Sequence, residues 1–175
     1  MNTPPRVVLG YHGCDARLLD RIVSGKSHLS ASNNRYDWLG QGVYFWENGP
    51  QRALEFAEWK LGRGEIESPV VVGALINLGR CFDLADSWAP DQLAGFNARL
   101  ILDLASANQE VPMNRRANEG DFDLILRNRD CAVVNYAMAA YDKHHGSRYF
   151  QTVRGIFIEG GPAYPAARIS RRAHV

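Results

Sequence analysis

The alternation of apolar and polar positions divides the chain into a strand-rich first half and a helix-rich second half. Val7 to Tyr11 is a short apolar, β-branched run that predicts a first strand, with Gly13 as its turn and His12 at or just beyond its end. Asp15 then caps a helix whose apolar positions Leu18, Leu19, Ile22 and Val23 share one face, and Gly25 stops it. Ser27 to Asn34 has the Ser/Asn chemistry of a loop. Val43-Tyr44-Phe45-Trp46 reads as a second strand, and Pro50 opens a helix with Ala53, Leu54, Phe56, Ala57 and Leu61 on its apolar face before Gly62 and Gly64.

The run Val70 to Ile76 after Pro69 is almost continuously apolar, which predicts a strand covered on both faces. From Asp83 to about Gly146 the period becomes helical, through Leu93, Phe96, Leu100, Ile101 and Leu104 and then Val134, Met138 and Tyr141. Gln109 to Gly120, with Pro112, is expected to be a mobile loop between them, and strand character returns at Val153 to Ile158. There is no internal repeat.

A length of 175 residues at 46% hydrophobic composition fits one domain spanning 1–175 and is short for two. The 20 basic and 19 acidic residues leave a formal charge of +1, so no global field drives binding to nucleic acid or acidic lipid. Cys14, Cys81 and Cys131 are odd in number and widely spaced, which frames neither a disulfide scaffold nor a metal site and favours a reducing cytoplasm. The polar amino terminus has no signal-like apolar stretch, and no window reaches membrane-span length, so no membrane partner is expected. His144-His145 lacks a third ligand at useful spacing; a solvated loop is the simpler reading, and no metal is expected.

Singly, these features name no function. A histidine beside a glycine is ordinarily a satisfied hydrogen-bonding group, and Tyr44 beside Phe45 and Trp46 is ordinarily core packing. Their order is more informative. Tyr11-His12-Gly13, then Asn34 through Gly40-Gln41-Gly42-Val43-Tyr44-Phe45-Trp46-Glu47, then Thr152 through Ile156-Phe157-Ile158-Glu159-Gly160, resembles the ADP-ribosyltransferase superfamily. The resemblance is to its His-Tyr-Glu branch, shared with poly-ADP-ribose polymerases, and within that to a bacterial group.

The resemblance implies an α+β fold: a split β-sheet core with flanking helices and a helical insertion around 83–146. It implies NAD as co-substrate and transfer of a single ADP-ribose unit to a protein or nucleic-acid acceptor, in a bacterial toxin or defence effector with a cognate antitoxin. Breaking the nicotinamide–ribose bond develops positive charge on the sugar, so the site must grip the leaving group, orient the ribose and present negative charge. By resemblance, Gly13 holds the nicotinamide amide through its backbone, His12 bonds a ribose hydroxyl of the adenosine half, and Tyr44 stacks on the nicotinamide ring. Gly40 and Gly42 let the preceding loop pass close to the ligand, and Ser30 or Ser32 faces it, Ser32 being carried forward as the candidate. Tyr36 and Trp38 form either a lid, which makes Tyr36 a cofactor contact, or a small cluster under the loop.

The third catalytic position is either Glu159, the one well-placed late carboxylate, or a residue on a further strand following Arg172 to Val175. A turn-facing role for Glu159 beside Gly160-Gly161-Pro162 is equally open. Where the polymerase branch has a serine and a second stacking tyrosine, this chain has Arg52 and roughly Glu55, which favours single transfer over polymer synthesis. A catalytically inert NAD or ADP-ribose binding module and an NAD glycohydrolase stay as alternatives. An NAD-using RNA 2′-phosphotransferase is disfavoured by the charge balance.

Overall fold

A computed structural model of the chain describes residues 6–34, 37–117, 119, 124, 126–157 and 172–174, the side chains of 157 and 172–174 excepted. The described chain is mixed α/β, with four helices, one antiparallel sheet and one sheet containing a parallel pair, and is compatible with an α+β class. It divides into two compact units, the first from 1–31, 43–79 and 174–175, the second from 32–42 and 80–173.

In the first unit the strands are β1 (Val7–Asp15), β2 (Trp46–Glu47) and β3 (Pro69–Asn77), in the order β2-β1-β3. β1 therefore runs four residues beyond its expected end, carrying His12 and Gly13 inside the strand. The reason is its partner: β1 and β3 pair antiparallel without a slip from Val7↔Asn77 to Asp15↔Pro69. Asp15 ends the strand and caps α1 (Ala16–Val23), accepting the Arg17 amide at 2.9 Å and the Glu67 and Ser68 amides at 2.7 and 3.2 Å. These donors hold its carboxyl well below the usual carboxylate range, the Glu67 and Arg17 amides contributing most.

Gly13 is a packing point, not a turn. A Cβ there would stand 2.1 Å from the Ala53 carbonyl oxygen and 3.0 Å from the Ala57 Cβ, both on α2 (Pro50–Gly62). The helix backbone thus crosses β1 where the strand has no side chain, and Ala53 and Ala57 are fully buried there. α2 starts at Pro50 as expected, proline suiting a first turn whose N–H has no helical partner.

Two strand expectations change. Val43 to Phe45 lies outside the strand, and β2 is only Trp46–Glu47, because Phe45 swings over the face of β1 at Gly10 and the Tyr44 carbonyl bonds a side chain instead of a ladder partner. β3 is not covered on both faces: from Val72 onward half-buried and exposed positions alternate, with Leu75 79% exposed, and among the described residues β3 pairs with β1 alone.

The second unit contains β4 (Cys81–Asp83), α3 (Ala89–Ser106), α4 (Asn128–His145), β5 (Thr152–Phe157) and the first two residues of β6 (Arg172–His174), with strand order β4-β5-β6. α3, α4 and β5 fall where the periodicity put them. β4, three residues paired parallel to β5, has no counterpart among the strands the sequence predicts. Phe82 is fully buried at the centre of an aromatic cluster with Trp88, Tyr141 and Phe150. The loop before α4 is tied down at Asn114, whose Oδ1 accepts the Arg129 amide at 2.9 Å and so caps the helix.

Asp83, 5% exposed, accepts from Arg154 Nη1 at 2.8 Å across the β4–β5 pair and from the Ala85 amide at 3.0 Å. Removing one member of such a pair leaves the other charge buried. Asp83→Ala is expected to cost about 3–5 kcal/mol of unfolding free energy, read by denaturant titration; a loss under about 1 kcal/mol, the scale of a surface pair, would contradict this.

Candidate functional site

Strand parity determines what β1 presents around His12. The Leu9 carbonyl accepts the Asn48 amide at 2.9 Å on the β2 side, while the Arg6 carbonyl and the Ala16 amide bond Leu78 and Ser68 on the β3 side. Backbone groups alternate along an unbroken strand, so those of Leu9, Tyr11 and Gly13 face the β2 edge. The β1–β2 register runs Gly10↔Glu47 and Tyr11↔Trp46, and its continuation would set Tyr44 opposite Gly13. The chain leaves the sheet at Phe45 instead. Among the described residues no strand pairs with Gly13 on that edge, so its N–H and C=O lie side by side off the ladder, in a residue that is itself buried.

His12 and Tyr44, 32 residues apart in sequence, meet at this place. His12 Nδ1 donates to the Tyr44 main-chain carbonyl at 2.7 Å, and Phe45 lies against the imidazole at a ring-centroid distance of 5.8 Å. Because a carbonyl only accepts, the bond fixes the Nδ1–H tautomer and leaves Nε2 as an acceptor in the neutral ring. Burial is the largest influence on the imidazole and lowers its pKa below 6.5; the Tyr44 carbonyl opposes this, and the Lys60 ammonium adds to it. His12 is thereby held neutral near pH 7, suited to accept a hydroxyl proton. The Tyr44 contact is made by its main chain, which leaves its ring a separate role.

On α2, Arg52 forms an ion pair with Glu55 at 2.7 Å and lies 5.3 Å from the Trp46 ring centroid. The guanidinium standing where the polymerase branch has serine is thus engaged by its own helix and by β2. Cys14, buried on β1, has its thiol pKa pushed up by burial, consistent with a packing role.

Ser32 and Gly42 belong to the second unit, where they form an antiparallel bridge with the Ser32 amide donating to the Gly42 carbonyl at 2.7 Å. The Ser32 hydroxyl bonds the Asp37 carboxylate and accepts from the Asn34 side chain at 2.9 Å, so it closes its own loop. A Cβ at Gly42 would meet nothing within 4 Å, whereas Gly40, at φ +85°, abuts Asn135 on α4. Asn135 Oδ1 accepts the Gln41 amide at 2.8 Å and anchors the loop. The Trp38 ring and Leu39 pack on β5, where Gly155 leaves room. Tyr36 and Glu159 lie outside the described residues.

His12, Gly13 and Tyr44 are therefore brought together in one unit. The dependence of that site on α2, through Ala53 and Ala57, was missed; the small-residue spacing i, i+4 opposite a strand glycine was the available signal. Comparison of the chain with protein-family models, curated proteins and solved structures finds no match. No helix among the described residues is long and apolar enough to cross a membrane.

Since the unfolded chain takes up the proton more readily than the folded one, His12 adds stability above its unfolded pKa near 6.5, and that stability is lost as pH falls through the lower folded value. In a proton NMR titration, the imidazole resonance missing from His12→Asn is expected to titrate below 6.5. Titration at or above 6.5 would contradict the half-buried, Nδ1-bonded ring.

Proposed function

We propose that this chain is an NAD-dependent mono-ADP-ribosyltransferase of the His-Tyr-Glu type, with an ADP-ribosyltransferase-like split sheet. The observation that carries the reading is the meeting of His12 with Tyr44 beside the off-ladder edge of Gly13. A primary carboxamide carries one acceptor and one donor pair in the same plane, the complement of the Gly13 N–H and C=O. Gly13 grips the nicotinamide amide, and the Tyr44 ring supplies the stacking surface. His12 Nε2, neutral and directed by its Nδ1 bond, accepts from a ribose hydroxyl of the adenosine half.

The reaction breaks the C–N bond between ribose and nicotinamide, whose electron pair leaves with the base, and forms a bond from the sugar carbon to the acceptor nucleophile, which gives up its proton. Positive charge on the sugar calls for a carboxylate, and Glu159 takes that role in this reading. Arg52, held by Glu55 and Trp46 in place of a serine, removes one nicotinamide contact and supports single transfer over chain growth. The setting that goes with the resemblance is a bacterial toxin or defence effector in the cytoplasm, with a protein or nucleic acid as acceptor and a cognate antitoxin as partner.

Incubation with NAD labelled in nicotinamide and in adenine tests this. Release of nicotinamide with adenine label in a macromolecular product is the expected outcome; free ADP-ribose alone would make the chain a glycohydrolase, and binding without release an inert module. At sub-saturating NAD, His12→Ala is expected to lower release about tenfold through weaker NAD binding, the scale of losing one hydrogen bond to the adenosine ribose, and Tyr44→Ala about tenfold, the scale of a lost aromatic contact. Full activity in both variants would dispose of the site.

A further inference from the structure

We infer that β3 is a homodimerisation edge, through which two copies of the chain join their β2-β1-β3 sheets antiparallel about a two-fold axis at Gly73. This inference is independent of the proposed activity. The parity that directs Gly13 away from β3 fixes the other side of the sheet. Val70, Val72, Ala74 and Ile76 bond β1 through their partners Cys14, His12, Gly10 and Val8, so the backbone groups of Val71, Gly73 and Leu75 point outward from the edge. β3 pairs with β1 alone among the described residues, and Gly73 and Leu75 are exposed.

A strand edge of this kind, uncharged and apolar from Val70 to Ile76, is a template for strand addition unless it is guarded by charge, a bulge or proline. β3 has no such guard along its outward-facing stretch: the only proline is Pro69 at its first position, the register with β1 has no bulge, and no charged residue lies between Glu67 and Arg80. The occupant that fits is a second copy. Two-fold symmetry places each residue against its own kind or its mirror position, so any charge near the axis would repel itself, and there is none.

A register centred on Gly73 makes Gly73↔Gly73 and Val71↔Leu75 hydrogen-bonded pairs, all using outward groups. Side chains of these odd-numbered residues share one face, so Leu75 of one copy is covered by Val71 of the other. The axis falls at Gly73, which has no side chain of its own and whose Cβ position is covered by the Tyr11 ring at 3.3 Å.

Two measurements test this on the full chain. Sedimentation equilibrium is expected to give twice the chain mass for the wild type and the chain mass for Leu75→Pro. That substitution removes an outward N–H and leaves the β1 ladder intact, and an unchanged circular dichroism spectrum checks the fold. Amide hydrogen exchange covers the case in which the proline variant fails to fold: Val71, Gly73 and Leu75 amides are expected to gain protection with protein concentration, while Val72 and Ala74 stay protected at all concentrations. A wild type monomeric throughout, a folded Leu75→Pro dimer, open-ended association, or outward amides that exchange freely in the dimer would each overturn the inference.

Discussion

The first unit depends on one close approach, the crossing of α2 over β1 at Gly13. No side chain fits there, since the Ala53 carbonyl would lie 2.1 Å from a Cβ. The glycine lets the helix sit on the strand, and Ala53 and Ala57 keep the helix surface flat enough to do so. This packing sets the height of α2 above the sheet and brings Lys60 within electrostatic reach of His12. The same residue serves the edge of the strand, where its backbone groups are free of the ladder. A single glycine thus links core packing to the candidate chemistry.

The second constraint is the departure of the chain at Phe45. Had residues 43 to 45 stayed in register with β1, Tyr44 would have paired with Gly13 and covered the edge. The His12 imidazole instead takes the Tyr44 carbonyl, satisfying a polar group that would otherwise be left off the ladder. That bond fixes which ring nitrogen carries the proton, and burial keeps the ring neutral. The cost of burying an uncompensated imidazole is offset by this one well-formed hydrogen bond.

Much of the element order was legible because it rests on local signals. Asp15 as a cap, Pro50 at a helix start and the apolar faces of α3 and α4 act within a few residues of themselves. What was not legible depended on partners distant in sequence. β1 extends to Asp15 because β3 matches its length, β4 exists only beside β5, and the coverage of β3 depends on what packs on each face of its sheet. The nearness of His12 and Tyr44 came through in the ordered motif, although the contact uses the Tyr44 main chain. The Ser32 hydroxyl, read as facing a ligand, is taken up by Asp37 and Asn34, short-range partners that a polar loop offers in abundance. Tyr36 and Glu159 lie outside the described residues, so the third catalytic position rests on the resemblance.

The most direct test of the central claim is the Gly13 amide itself, observed in a ¹⁵N-labelled chain titrated with nicotinamide and with NAD. A hydrogen bond from Gly13 to the carboxamide oxygen predicts a downfield proton shift and slowed exchange at Gly13 with both ligands. Saturable NAD binding that leaves the Gly13 amide unchanged would contradict the account.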